Sequence, residues 1–224
     1  AYLLAVPPET AVRHFDLITP ALASAEARTD AGPGDRPGTY EVTVVARDRP
    51  GLLAKVAGTL ALAGLNILSA RAFTTEDGVA IDLFTVEPAF EGDVDEERWR
   101  RMRTTLRKSL EGRISLEYRV REKRRHYRGA RTDIPIEVTV DNDASDFATV
   151  VEVSAPDRIG LLFDLARTFH ELELDVHLAK VATYGPRVVD AFYVRDLYGG
   201  KVEDREHVAE IERAVVARLS DHPG

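Results

Sequence analysis

The sequence contains one segment twice, at an offset of 109 residues. Residues 47–53 read Arg-Asp-Arg-Pro-Gly-Leu-Leu, and residues 156–162 read Pro-Asp-Arg-Ile-Gly-Leu-Leu. The same offset aligns alternating valines before each turn and apolar residues at helical spacing after it. A repeat of this kind means that one strand-turn-helix unit is built twice, so each copy is expected to form the same elements in the same order.

The repeated pattern predicts an antiparallel α+β fold. The runs of the first copy read, in order, as strand, helix, strand, strand, helix and strand, over residues 40–46, 50–63, 66–74, 79–86, 96–110 and 114–120. This β-α-β-β-α-β order is the ferredoxin-like split motif. We therefore predict two ferredoxin-like units with antiparallel sheets, preceded by a short helical segment.

Composition shifts between these runs give the expected domain boundaries. They predict a helical tail of a preceding domain plus a Gly/Pro/Asp-rich linker, a first copy, a basic linker and a second copy, over residues 1–38, 39–121, 122–133 and 134–222. Too few residues follow the last predicted helix for a closing strand. The alternating run at residues 134–140 is therefore predicted to supply an edge strand, a position that suits Pro135 because proline has no amide donor.

Charge and missing motifs exclude several classes of protein. The net charge of −8 argues against a general nucleic-acid-binding protein. No apolar run approaches the roughly 20 residues needed to span a bilayer, so no membrane partner is expected. The absence of cysteine excludes thiolate metal sites, and no nucleotidyltransferase, metal-hydrolase or phosphate-loop motif is present. We therefore assign no catalytic residue and no metal site, and the start at Ala1 within an apolar run predicts a piece of a longer protein.

The repeated turn is the candidate binding feature. Its aspartate is predicted to cap the following helix, and its glycine to let the backbone approach a ligand. The first amides of the helix would then favour a carboxylate, and a polar residue at the start of the next strand would take an ammonium group. A free amino acid carries both groups. The candidate ligand-binding residues are Asp48, Arg49, Pro50, Gly51, Leu52, Leu53, Asn66 and Ile67 in the first copy and Asp157, Arg158, Ile159, Gly160, Leu161, Leu162, Asp175 and Val176 in the second.

These residues carry a resemblance to a known family. Asp-Arg-Pro-Gly-Leu-Leu, followed by a helix and Asn66-Ile67, resembles the ACT domain, a small regulatory module that binds amino acids at paired interfaces. The lead-in of the second copy, residues 136–145 and 149–153, resembles the tandem C-terminal ACT region of the bifunctional uridylyltransferase/uridylyl-removing enzymes that modify the PII nitrogen-regulatory protein. Tyr2, the Pro8-Glu9 pair and His14 resemble the end of the HD hydrolase domain in that family.

The resemblance implies a function and its partners. It implies a cytoplasmic sensor of glutamine that acts with PII and with the catalytic domains of its own enzyme. It implies Mg²⁺ for those catalytic domains and no cofactor for this region, with ACT units that pair within one chain or in a homodimer. Discrimination against glutamate requires a pocket that disfavours a second negative charge, to which Asp82 and Asp190 are candidates to contribute.

Several alternatives fit the same residues. The chain also suits the regulatory tail of another metabolic enzyme that senses a different amino acid, or an ACT module that only pairs. One or both copies bind ligand, since Pro50 becomes Ile159 and Asn66 becomes Asp175 in the repeat. The basic run at residues 119–131 suits a solvated linker, or a contact with nucleotide, PII or the catalytic domains. The parent enzyme transfers either a uridylyl or an adenylyl group.

Overall fold

Eight strands form one antiparallel sheet in the computed structural model, which describes residues 8–23, 26–90, 92, 94–126 and 133–220. Tyr2 and the end of the basic run, Arg128 and Arg131, lie outside the described residues. The elements are α1 (Pro8–Ala23), β1 (Arg28–Pro33), β2 (Tyr40–Arg47), α2 (Leu52–Leu62), β3 (Leu65–Thr74), β4 (Val79–Pro88), α3 (Glu96–Leu110), α4 (Leu116–His126), β5 (Glu137–Asp141), β6 (Thr149–Pro156), α5 (Leu161–Glu171), β7 (Asp175–Tyr184), β8 (Arg187–Arg195) and α6 (Arg205–Ser220).

The sheet joins the two copies edge to edge. Its strand order is β1-β2-β4-β3-β7-β8-β6-β5, and the central pair is formed by β3 and β7 with Ala70 opposite Ala179. The predicted α+β class with antiparallel pairing and a preceding helix is confirmed, and the two expected sheets are one continuous sheet. Of the two modes of pairing left open by the sequence, the structure shows the one within a single chain.

The strand predicted at residues 114–120 is wrong, because this stretch begins helix α4. Its buried residues follow a helical period: Leu116, Val120 and Arg124 are spaced by four and lie on one face of the helix. The Ser115 hydroxyl accepts a hydrogen bond from the Tyr118 amide at 3.3 Å, as a helix-capping serine does. Helix α4 therefore extends into the predicted basic linker, as far as His126.

Both copies take their outermost strand from the N-terminal side. In the first copy this strand is β1, formed by residues 28–33 of the predicted linker, and it pairs with β2 from Arg28 opposite Val45 to Pro33 opposite Tyr40. In the second copy it is β5, which pairs with β6 at the other end of the sheet, where the alternating run predicted an edge strand. The two copies are therefore equivalent in strand arrangement.

One main hydrophobic core runs between the sheet and helices α2 to α6, with buried residues from both copies. A smaller core lies on the opposite face of the first copy, where Ala21 of α1 is buried with Val45, Val79, Ile81 and Leu83. Strands β2 and β4 are therefore covered on both faces, which explains why successive residues of each strand are buried. In the part of the chain that the structure describes, no helix is long and apolar enough to cross a membrane.

Candidate functional site

The two repeated turns have the same backbone geometry. The Asp48 amide donates to the Gly78 carbonyl at 2.9 Å, and the Asp157 amide donates to the Pro186 carbonyl at the same distance. Gly51 and Gly160 then occupy the N-cap positions of α2 and α5 with φ of 75° and 76°. This left-handed conformation favours glycine, because a side chain there is strained.

The prediction that Asp48 and Asp157 cap these helices is wrong. Neither helix has a side-chain hydrogen bond at its N-cap. The left-handed glycine separates each aspartate from the helix, and Asp48 Oδ2 instead accepts a hydrogen bond from Thr74 Oγ1 at 3.0 Å. The Leu52 amide donates to the Arg49 carbonyl at 3.1 Å. The following amides of the first turn, such as that of Leu53, have no acceptor within the helix and no capping side chain, so they are available to an anionic group.

Each turn lies against a helix of the other copy. A Cβ atom on Gly51 would stand 3.1 Å from Cδ2 of His170 on α5, and one on Gly160 would stand 3.8 Å from Cβ of Ala61 on α2. Ala61 and His170 occupy equivalent positions of the repeat. Each candidate site is therefore built by both copies, with a turn from one copy and a helix from the other.

The predicted positions of Asn66 and Asp175 are wrong, because each residue lies at the turn of the other copy. The sequence placed each residue beside the turn of its own copy, whereas Asp175 lines a cavity with the first turn and Asn66 lines a cavity with the second. Strands β3 and β7 pair in antiparallel order through their middle residues, so the start of each strand lies beside the end of the other copy's strand. Of the predicted ligand-binding residues, only Ile159 lines neither cavity.

The larger space, here called the first cavity, has a volume of about 700 Å³. Its walls are the turn at residues 48–54, the helix residues Ala166 and His170, the strand residues Ala72, Thr74, Ala80 and Asp82, and Asp175 to His177 of β7. Asp48 and Asp175 are exposed at its mouth, and Asp82 is buried on the sheet side. The cavity thus combines uncapped helix amides with six carboxyl groups, since Glu171, Glu173 and Asp196 also line it, together with Arg49 and Arg195.

Asp82 is the unusual group of this cavity. Its side chain is 3% exposed, and its buried Oδ2 atom has no hydrogen-bond partner among the residues that the structure describes. Burial, as the largest cause, and the negative charges of Asp48 and Asp175 together raise the pKa of Asp82 from 3.8 to about 8. At neutral pH this carboxyl is therefore mostly protonated and can both donate and accept a hydrogen bond.

The second cavity, at the turn of residues 157–162, is smaller, with a volume of about 140 Å³. Phe163 stands at the repeat position of Ala54, and its ring lines this cavity and packs against Gly58 of α2. Asp190, the counterpart of Asp82, is 1% exposed, and within the described part of the chain its Oδ1 atom has no hydrogen-bond partner. Its pKa is raised to about 7, chiefly by burial and to a smaller extent by Asp157, against a lowering contribution from the Ala182 amide.

A buried ionic cluster borders the second cavity. Arg124 of α4 donates to the Ile159 carbonyl from Nε and Nη2, at 3.0 and 2.9 Å, and to Asp164 Oδ2 at 2.8 Å. Arg158 Nη1 lies 2.7 Å from the same carboxylate oxygen but not in hydrogen-bonding geometry. Burial lowers the pKa of Arg158 to about 10 although Asp164 opposes this shift. The first copy has Lys55 at the repeat position of Asp164, so it cannot form the same cluster.

Helix α4 thus covers the second turn and also holds the first copy. Val120 packs so closely on the second turn that a Cβ atom on Gly160 would stand 2.5 Å from its Cγ1 atom. On the other side, Lys123 Nζ donates to the Leu62 carbonyl at the end of α2, at 2.9 Å. The sequence placed Arg124 in a linker, whereas its side chain is buried against the second turn. Comparing the copies position by position would have marked Phe163 and Asp164 as differences at the sites.

Both copies match sequence models of the same kind of domain. A model described as the ACT domain matches residues 40–98, and one described as the ACR family N-terminal ACT domain matches residues 144–221. A bifunctional uridylyltransferase/uridylyl-removing enzyme of Rhodospirillum rubrum is 38% identical over 225 residues, which cover 98% of this chain and 24% of the relative. The enzyme of the same description from Azospirillum brasilense is 37% identical over 226 residues, covering 99% of this chain and 24% of the relative.

The chain therefore spans about a quarter of the length of these relatives. Among solved structures, aspartate kinase from Synechocystis aligns with 83% of this chain and 28% of its own, at 17% identity and a TM-score of 0.42.

Proposed function

Because this chain belongs to the ACT domain family, with one domain in each copy, we propose that it is the amino-acid-sensing regulatory region of an enzyme that adds a nucleotidyl group to PII and removes it. The relatives that match nearly the whole chain are named for two opposed activities, addition and removal of a uridylyl group. An enzyme with two opposed activities needs a signal that selects between them. In this proposal the signal is glutamine, the partners are PII and the catalytic domains of the enzyme, the location is the cytoplasm, and Mg²⁺ serves the catalytic domains only.

The distribution of charge in the first cavity is the observation that carries the proposal. The uncapped start of α2 presents backbone amides and the positive end of the helix dipole, which suit an α-carboxylate. Asp48 and Asp175 lie at the mouth of the same cavity and suit an α-ammonium group. The head group of an amino acid therefore finds opposite partners within one cavity.

The acidic character of this cavity favours glutamine over glutamate. The carboxylates of Asp48 and Asp175 would repel a second carboxylate, whereas a carboxamide has no net charge. The second cavity is a poorer candidate, because Phe163 and the ions around Arg124 take up its space. We therefore propose one glutamine per chain, bound in the first cavity.

Thermal unfolding of this chain with each common amino acid tests the proposal. A ligand that binds only the folded state at about one hundred times its Kd stabilises the fold by about 2.7 kcal/mol. We expect glutamine to raise the Tm and glutamate to leave it unchanged at equal concentration. A rise with a different amino acid would instead indicate the regulatory tail of another enzyme.

Two equivalent substitutions identify the cavity that binds. Asp175→Ala removes a carboxylate from the first cavity, and we expect it to weaken glutamine binding about tenfold, the value of one charge-assisted hydrogen bond. Asn66→Ala alters the same repeat position in the second cavity and is expected to leave the Kd unchanged. The reverse result, measured by isothermal titration calorimetry, would move the ligand to the second cavity.

A module that only pairs is the second candidate function. The continuous sheet through β3 and β7 and the shared core favour it, since these contacts hold the copies together with no ligand. This candidate predicts no change of Tm with any amino acid.

A further inference from the structure

We propose that the neutral Asp82 carboxyl is the specificity-determining group of the first cavity and that it pairs with a carboxamide at the tail of the bound amino acid. This inference rests on the proposed function, since it requires an amino acid in that cavity. It adds the group that recognises the side chain, and it gives an orientation to the ligand.

The position of Asp82 on β4 directs its side chain toward the ligand space. Its neighbours at alternate positions, Ala80 and Phe84, belong to the core under the helices, whereas Ile81 and Leu83 pack on the opposite face with α1. Asp82 therefore points to the helix side, where it lines the first cavity. No hydrogen bond satisfies its Oδ2 atom in the part of the chain that the structure describes.

A buried polar atom without a hydrogen-bond partner destabilises the fold, so a ligand that supplies the partner binds more favourably. Leaving such an atom without a partner costs about 1–3 kcal/mol, and a ligand that supplies the partner recovers this free energy. The side chains beside Asp82 along the cavity wall include Ala72, Ala80 and Ala166, so small residues leave room for a ligand to approach. The carboxyl is thus placed as a partner for a group brought from outside.

The chemistry of a neutral carboxyl matches a carboxamide. The protonated form has one O–H donor and one carbonyl acceptor, and a primary amide offers one carbonyl acceptor and N–H donors, so the two groups can form a pair of hydrogen bonds. Burial and the charges of Asp48 and Asp175 keep the proton on Asp82 by raising its pKa to about 8. A carboxylate tail would bring a further negative charge into the same buried region, which is unfavourable.

The exposed carboxylates fix the direction in which the ligand enters. Asp48 and Asp175 lie at the mouth beside the start of α2, so the zwitterionic head remains there and the tail extends toward the sheet. The charged groups of the cavity then recognise what all amino acids share. The single uncharged carboxyl recognises what distinguishes one amino acid from another.

The test is glutamine binding by calorimetry between about pH 7 and about pH 9, for the wild-type chain and two variants. With a pKa of about 8, Asp82 loses its proton over this range, so we expect the wild-type affinity to fall about tenfold. Asp82→Asn keeps one donor group and one acceptor without a titrating proton. At pH 7 this variant should bind glutamine with a Kd within about threefold of the wild-type value. Between pH 7 and pH 9 its affinity should fall only by the amount that is due to deprotonation of the ligand ammonium group.

Asp190→Asn is the matched control, because it makes the same change at the equivalent position of the second cavity. We expect its affinity and pH profile to equal those of wild type. Asp82→Val removes both hydrogen-bonding functions and should abolish the preference for glutamine over an apolar amino acid of similar size.

Different results would contradict the role of Asp82 and the proposed sensing function. If Asp82→Asn abolishes binding, or if wild-type affinity rises with pH, Asp82 acts as a carboxylate toward an ammonium group and the inference is wrong while the sensing function stands. If an amino acid without an amide binds and Asp82→Val has no effect, the inference also fails alone. If no amino acid releases or absorbs heat and none raises the Tm, the sensing function itself fails, and Asp82 has no ligand to recognise.

Discussion

Replacing Asp82 with asparagine should change how the stability of the fold depends on pH. The pKa of Asp82 is raised from 3.8 to about 8 in the folded chain, chiefly by burial. Between these two values the folded state holds a proton that the unfolded state has lost. The stabilising effect of the neutral carboxyl is therefore fully present below about pH 4 and is lost as the pH rises through about 8.

The size of the effect follows from the width of this window. Each pH unit inside it lowers the free energy of unfolding by about 1.4 kcal/mol, so Asp82 alone accounts for about 3 kcal/mol between pH 5 and pH 7. Asparagine does not titrate, so Asp82→Asn should lose about 3 kcal/mol less than wild type over the same interval. Asp190→Asn should behave similarly up to about pH 6.5, because the pKa of Asp190 is about 7.

Urea denaturation at pH 5, 6 and 7 measures this difference directly. The m-value must be equal for the two proteins, so that the comparison reports stability and not a change in the unfolded state. Equal losses of stability in wild type and Asp82→Asn would show that Asp82 is ionised in the folded chain, and the account of a neutral carboxyl in the first cavity would be refuted.

Three further substitutions test the packing around the second turn. Gly160→Ala should lower the free energy of unfolding by about 1–3 kcal/mol in urea denaturation, because its φ is 76° and the new Cβ atom would stand 2.5 Å from Val120; an unchanged midpoint would contradict this close contact. Arg124→Ala should cost about 3 kcal/mol by leaving a buried carboxylate less well paired, whereas Arg125→Ala, at an exposed position of the same helix, should change the Tm little. Phe163→Ala should destabilise the chain by about 3–5 kcal/mol, and equal chemical midpoints of variant and wild type would show that the ring does not fill the second cavity.

The elements that the sequence predicts well are those that occur in both copies of the repeat. Helices α2 and α5 and the strands around them follow from a shared apolar pattern, which local periodicity reveals. Helix α4 does not follow from local periodicity, because Ile114, Leu116, Tyr118 and Val120 alternate as the residues of a strand do. The choice between strand and helix is made by distant contacts, such as Arg124 with the Ile159 carbonyl.

The sequence predicts which residues line the candidate sites, but it does not predict which of them lie together. The turn residues, Asn66 and Asp175 all line cavities, but the partner of each strand residue lies in the other copy. No local pattern encodes a partner more than ninety residues away, since it depends on how β3 meets β7. Asp48 does not cap α2, because Gly51 occupies the N-cap position and the Asp48 carboxylate instead accepts a hydrogen bond from Thr74.

The covalent link between the copies frees the two cavities to evolve apart. Two identical subunits related by a twofold axis would have two identical sites, and any substitution would appear in both. Here each cavity is built from different positions of one sequence, so Phe163 fills one while Ala54 leaves the other open. The duplicated chain can therefore devote one cavity to a ligand and the other to holding its own structure together.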